Sequence, residues 1–205
     1  MDKFQLRKLM IDRLMKVNSK DQLSWDNQII KNITHFMSSI SDDSYFSDFE
    51  ARKWGVYRSL GNEPNLEMLW VKNNPKVNWC FPRVKDKISM GFISVKTPSH
   101  KKNWVQGPFK GLLEPSSTAN DCDEVSDINH LKGCFIPALA FDKKGFRLGR
   151  GKGYYDRALE NFIGIKVGVI YSIQLLNEDL PSEGHDICVD YILTEQQLIP
   201  IQKKD

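Results

Sequence analysis

The sequence predicts an α/β fold, a layered sandwich formed by a single domain over residues 1–205. Short apolar runs of strand length alternate along the chain with segments of helical periodicity. One apolar run, at 134–141, passes directly into a glycine-rich segment and then into a helical pattern. We therefore expect a Rossmann-like arrangement, with a mostly parallel sheet and helices on both faces.

Composition narrows the classes of partner. The 29 basic and 26 acidic residues are interspersed and give a net charge of +3, so nucleic acid is not an expected partner. No stretch approaches the ~20 apolar residues of a membrane span, and the first residues lack the apolar core of a signal peptide. The cysteines form no CxxC pair, so neither a zinc site nor a redox motif is indicated. We expect a cytoplasmic monomer with free thiols.

Two helices are predicted at the N-terminal end. Residues 3–17 carry apolar side chains near helical spacing, with Lys3 and Arg7 towards another face. Propensity alone favours a solvated role for these cations over ligand binding. The second helix is expected to begin after Ser19 and to reach residues 38–39.

The next segment predicts a strand followed by a helix. Residues 54–60 are aromatic and β-branched, Gly61 and Asn62 break the pattern, and residues 66–71 are helical. Glu63 thus lies at a strand-to-helix junction, where open α/β sheets bind ligands. A capping role and a functional role for this carboxylate are both open.

Further strands are predicted at 77–81, ending at Pro82, and at 88–95, 163–172 and 191–193. Between them, residues 96–115 are rich in proline and glycine, so we expect a mobile loop covering a site. Trp104 and Phe109 are candidates for its lining, although isolated surface aromatics are an equal alternative.

The most informative stretch is the glycine loop, residues 145–153, between the 134–141 strand and a helix at 154–159. Its glycines let backbone N–H groups approach an anion, and the helix N-terminus adds partial positive charge. Three cations lie between the glycines: Arg147, Arg150 and Lys152. A phosphate site is favoured over a purely structural turn.

Known glycine motifs do not fit this loop. A Walker loop would require glycine where Phe146 stands and a hydroxyl where Gly153 stands. The dinucleotide fingerprint would place its third glycine at Tyr154. What remains is GxGxG flanked by cations, which suits a polyphosphate.

Two carboxylates are candidates for a metal site. Asp156 lies in the first turn of the helix after the loop, and Asp186 follows His185 late in the chain. Mg²⁺ bound with a nucleotide takes one or two carboxylates plus phosphate oxygens. A helix-start charge for Asp156 and a turn role for Asp186 are the alternatives.

Residues 136–142, Gly145 and the run 147–156 resemble the 5-formyltetrahydrofolate cyclo-ligases. The resemblance extends more weakly over nearly the whole chain. It implies conversion of ATP and 5-formyltetrahydrofolate into 5,10-methenyltetrahydrofolate, ADP and phosphate, with Mg²⁺ required. The formyl oxygen would attack the γ-phosphoryl group, and N10 would then close the ring.

The resemblance also implies roles at matching positions. Asp156 and Asp186 would hold Mg²⁺, and Arg147 and Lys152 would stabilise the transferring phosphoryl group. Folate would contact Glu63, Arg150, Gly151, Lys152, Gly153 and Tyr154. ATP would contact Lys3, Arg7, Arg147, Leu148, Gly149, Arg150, Gly151, Lys152, Gly153, Tyr154 and Tyr155.

The chain departs from the family pattern after Glu63. The family commonly has an apolar residue, an Asp or Asn and a Thr, whereas Pro64, Asn65 and Leu66 stand here. Local folate contacts at these three positions are therefore not implied. A non-catalytic module that binds folate or nucleotide is the alternative function.

Overall fold

The computed structural model describes residues 1–40, 53–71, 77–181 and 186–202. Within these ranges, the α-helices are α1 (Lys3–Met15), α2 (Ser19–Ser39), α3 (Met68–Val71) and α4 (Tyr154–Ala158). The strands before the glycine loop are β1 (Lys53–Gly55), β2 (Asn78–Val84), β3 (Met90–Val95), β4 (Trp104–Gln106), β5 (Leu113–Pro115), β6 (Cys122–Val125), β7 (Gly133–Pro137) and β8 (Ala140–Asp142). The later strands are β9 (Arg147–Leu148), β10 (Ile165–Val169), β11 (Leu175–Leu176), β12 (Tyr191–Leu193) and β13 (Leu198–Pro200).

One sheet dominates the fold, with strand order β13-β12-β10-β7-β1-β2-β3-β6. The five strands from β12 to β2 pair in parallel. The edges are antiparallel, with β13 on one side and β3 and β6 on the other. The predicted α/β class with a mostly parallel sheet is confirmed.

Helices pack on both faces of this sheet. Alternate residues of β7 point to opposite faces and therefore belong to two different hydrophobic clusters. Phe135 packs in a cluster with Ile33 of α2. Cys134 and Ile136 pack in a second cluster with Leu159, at the end of α4. Within the described ranges, no helix combines the length and apolar character that crossing a bilayer requires.

The apolar run predicted as one strand at 134–141 is two strands, β7 and β8. They are separated by Ala138 and Leu139, whose carbonyl oxygens accept hydrogen bonds from Gln174 Nε2 at 2.9 and 3.1 Å. β8 then joins a small sheet of order β11-β8-β9. The chain leaves the main sheet at Pro137 because a side chain distant in sequence satisfies the next two carbonyls.

The strand predicted to end at Pro82 continues to Val84. The carbonyl oxygen of Cys80 accepts from Val56 N at 2.8 Å, so the main-chain groups of Cys80 face the β1 side. The main-chain groups of Pro82, two residues further along the strand, face the same side. The last residue of β1 is Gly55, which pairs with Cys80. Since β1 has ended at that level, the missing N–H of proline breaks no ladder hydrogen bond.

Other boundaries also shift. The strand predicted at 54–60 is only Lys53–Gly55, and the helix predicted at 66–71 is Met68–Val71. The segment 96–115 is more regular than expected, because β4 and β5 form a hairpin within it. Strand β13 was not predicted.

Candidate functional site

A cavity of about 320 Å³ opens at the carboxyl ends of β1, β2 and β7. This is where open α/β sheets bind their ligands. Much of its wall is apolar, and Phe109 of the 96–115 segment belongs to it whereas Trp104 packs beside Phe81. The polar groups on its wall include Glu63, Glu114, Arg147, Arg150 and Lys152.

Glu63 lies in the turn after β1, residues 61–65, which we call the Glu63 turn. Its side chain is almost fully buried, with 6% of the residue exposed. Oε1 accepts from Arg150 Nε at 2.9 Å, and Oε2 accepts from Leu60 N at 2.9 Å. Burial raises the pKa of the Glu63 carboxyl, and Arg150 opposes this rise. The result is a fixed acceptor pair at the cavity wall.

The glycine loop begins from a hairpin organised by Asp142. This fully buried carboxylate accepts from Lys144 N and Phe146 N through Oδ1, and from Leu180 N through Oδ2, each at 2.9 Å. Gly145, at φ +85°, makes the turn. The hairpin places Arg147 at the cavity wall.

Arg147 is buried and joins three parts of the site. Nη1 donates to Pro137 O at 3.1 Å, and Nη2 donates to Asp156 Oδ2 at 3.2 Å. Its guanidinium carbon lies 5.2 Å from the centre of the Tyr155 ring. Its Nε is buried and has no hydrogen-bond partner among the described residues.

The later part of the loop depends on left-handed backbone and two further arginines. Gly151 and Gly153 have φ of +94° and +67°, which favour glycine. Arg7 Nε donates to Gly149 O at 2.9 Å, and Arg157 Nη2 donates to Lys152 O at 2.7 Å. These bonds hold the loop against α1 and α4.

Lys152 differs from the other loop cations. It is exposed, lines the cavity, and its ammonium makes no hydrogen bond or ion pair within the described ranges. Tyr154, also in the lining, donates from Oη to Asp86 O at 3.1 Å. The ammonium is the group best placed to meet an arriving anion.

The predicted metal carboxylates each bind a cation. Asp186 Oδ2 lies 2.7 Å from Lys3 Nζ, and Asp156 pairs with Arg147. Among the described residues, no group of three or more His, Cys, Asp or Glu side chains is arranged to hold a metal. Two carboxylates fit a magnesium ion only if phosphate oxygens complete its coordination, as nucleotide-bound magnesium allows. His185 lies outside the described residues.

The structure brings together most of the predicted site. Glu63 and the loop residues Arg147, Gly149, Arg150, Lys152 and Gly153 line one cavity with Tyr154 and Tyr155. Lys3 and Arg7 reach Asp186 and the loop from α1. Sequence reasoning assigned no role to Asp142 or Arg157. No sequence signal pointed to Arg157, because its guanidinium donates to the main-chain carbonyls of Lys152 and Ile88.

Comparison with known proteins identifies the group to which this architecture belongs. A profile of the 5-formyltetrahydrofolate cyclo-ligase family matches residues 2–195. The chain belongs to this family. The resemblance drawn from the sequence, and with it the expectation that the chain is a cyclo-ligase, is confirmed.

Individual relatives agree. The chain is 42% identical over 146 residues to the 5-formyltetrahydrofolate cyclo-ligase of Haemophilus influenzae, covering 67% of this chain and 73% of the relative. It is 37% identical over 142 residues to that of Escherichia coli, covering 68% and 73%. The solved structure of Aquifex aeolicus 5,10-methenyltetrahydrofolate synthetase superposes with a TM-score of 0.77 at 27% identity, covering 100% of this chain and 95% of that one.

Proposed function

We propose that the chain, acting as one domain and as a monomer, uses ATP to cyclise 5-formyltetrahydrofolate to 5,10-methenyltetrahydrofolate, releasing ADP and phosphate. One observation carries the proposal. The largely apolar cavity that contains the Glu63 carboxylate shares a wall with the cationic glycine loop. This arrangement supports binding of a planar hydrogen-bonding ring next to a polyphosphate.

Glu63 is proposed to hold the pterin ring. A pterin presents a ring amide N–H and an amino group side by side, and a carboxylate accepts both. Arg150 occupies Oε1 in this structure at 2.9 Å. We infer that the folate replaces Arg150 there and that the guanidinium, 39% exposed at its side chain, turns to the phosphates.

ATP is proposed to lie along the glycine loop and α1. Lys3, Arg7 and the loop cations would contact its phosphates, and Leu148 to Tyr155 would supply backbone and ring contacts. Asp156 and Asp186 would hold Mg²⁺, which neutralises phosphate charge when bound. Arg147 and Lys152 would stabilise the charge that develops on the transferring phosphoryl group.

The reaction balances in two steps. The formyl oxygen attacks the γ-phosphorus and ADP leaves, giving an imidate phosphate. N10 then attacks the formyl carbon, the C–O bond breaks, and phosphate departs with the former formyl oxygen while N10 loses its proton. The protein's contribution is alignment of the two substrates and stabilisation of charge on phosphate.

The direct test is an absorbance assay for methenyltetrahydrofolate with purified protein. We expect product only when ATP, Mg²⁺ and 5-formyltetrahydrofolate are all present, with one ADP formed per methenyl group. Tight folate binding without ADP release would instead support a non-catalytic module.

A further inference from the structure

The Glu63 turn is fixed from behind the cavity by a residue outside the proposed site. Asn65 N donates to Asp26 Oδ1 at 2.9 Å, and Asp26 belongs to α2. Nearby, Tyr57 Oη donates to Pro64 O at 3.1 Å. The two residues that follow Glu63 are thus hydrogen-bonded through their main chain, where the sequence departs from its family.

The same oxygen of Asp26 also binds the other side of the fold. Tyr171 Oη donates to Asp26 Oδ1 at 2.7 Å. Tyr171 lies two residues beyond β10, so Asp26 joins the segments that leave the carboxyl ends of β1 and β10. Trp25 packs against the Tyr171 ring, with centroids 5.3 Å apart, and fixes its orientation.

From Tyr171 the hydrogen bonds continue towards the glycine loop. Tyr171 N donates to Gln174 Oε1 at 2.8 Å, and the buried Gln174 amide donates to the carbonyls of Ala138 and Leu139. Leu139 N donates to Leu148 O at 2.8 Å, directly before Gly149. A connected series of polar groups therefore links the Glu63 turn to Leu148 of the glycine loop.

Packing alone does not explain a carboxylate at position 26. The residue is only 9% exposed, and burial raises the pKa of Asp26. An apolar side chain would avoid this desolvation cost but would leave Asn65 N and Tyr171 Oη without their acceptor. What Asp26 provides is a shared hydrogen-bond acceptor that fixes the Glu63 turn relative to the segment after β10.

We propose that Asp26 and Tyr171 are positioning residues for folate, holding the Glu63 turn at the correct distance from the glycine loop. The inference rests on the proposed function, because it takes Glu63 as the folate acceptor. Neither residue is part of the cavity wall, so their effect passes through the main chain of the turn.

The test compares variants that remove or keep the acceptor. Asp26→Ala should raise the KM for 5-formyltetrahydrofolate about 10-fold while the KM for ATP changes less than about 2-fold, because a small misplacement weakens a fixed contact. Asp26→Asn retains an accepting oxygen and should stay within about 3-fold of wild type. Tyr171→Phe, a milder change, should shift the folate KM by about 3-fold even if Asp26→Ala fails to fold.

Controls separate positioning from stability. Ile33→Ala removes a buried side chain of the same helix and should lower Tm without changing the ratio of the two KM values. In a Glu63→Gln background, Asp26→Ala should add less than about 2-fold to the folate KM, because residues acting as a unit are not additive.

The outcomes are distinguishable. The positioning role would be overturned if Asp26→Ala raised both KM values equally, or if it raised the folate KM by its full factor in the Glu63→Gln background. The proposed function would remain intact in either case, provided that the wild-type protein turns over. A wild-type protein that forms no methenyl product would overturn the proposed function and this inference with it.

Discussion

The Glu63 turn and the glycine loop border the same cavity but are built differently. The loop is one continuous segment, shaped by Gly151 and Gly153 and carrying an exposed lysine. The turn presents one buried carboxylate, and its backbone is held by Asp26 of α2 and by Tyr57. The difference fits the proposed division of roles, in which adjustable charge would serve the phosphates and a prearranged acceptor would serve a ring with matching donors.

The largest effect should come from replacing the carboxylate of the Glu63 turn. Glu63→Gln replaces a charged acceptor pair by one acceptor and one donor, so we expect the KM for 5-formyltetrahydrofolate to rise about 100-fold with little change for ATP. Steady-state kinetics with each substrate varied in turn measures this. Glu67→Gln is the matched control, since Glu67 lies four residues on and pairs with Arg58 at 3.6 Å.

The glycine loop is tested by removing the ammonium of Lys152, which has no partner among the described residues. Lys152→Ala should raise the KM for ATP or lower kcat by about 10-fold, because one ammonium near a developing phosphoryl charge is lost. Lys143→Ala, outside the cavity wall, should behave as wild type. Wild-type kinetics in Lys152→Ala would show that the loop is only a structural turn.

A smaller effect is expected from a change at the proposed magnesium site. Asp186→Asn should raise the Mg²⁺ concentration needed for half-maximal rate about 5-fold, since one of the two proposed charged ligands is lost. Titration of Mg²⁺ at saturating ATP measures it, and Asp179→Asn is the control. Unchanged metal dependence would remove Asp186 from the metal site.

The smallest expected effect is a pH dependence of kcat/KM for folate. Because burial raises the pKa of Glu63, kcat/KM for folate should fall as the pH drops through a value above that of an ordinary glutamate. The carboxylate is the proposed binding form, so the loss is expected on the acid side. Rates at limiting folate from about pH 5 to about pH 8 test this, and the acid limb should vanish in Glu63→Gln.

The same contrast explains what the sequence alone could predict. The glycine loop and α4 follow from consecutive residues, and α1 and α2 from the helical spacing of their apolar side chains. Glu63 was found because it lies at a strand-to-helix junction. The assigned roles in binding and catalysis stay predictions.

What escaped prediction depends on contacts distant in sequence. The break between β7 and β8 requires Gln174, and the passage of β2 through Pro82 requires that β1 has already ended. The hold of Asp26 on Asn65 joins residues 39 positions apart. No local pattern reports such partners, because the tertiary arrangement alone brings them together.

The most direct test of the central claim is a crystal structure with 5-formyltetrahydrofolate and a non-hydrolysable ATP analogue. We predict the pterin ring on Glu63, the γ-phosphate on Lys152, and the formyl oxygen about 3–3.5 Å from the γ-phosphorus, in line with the leaving oxygen. A pterin bound away from Glu63, or a triphosphate that does not touch the glycine loop, would contradict the account.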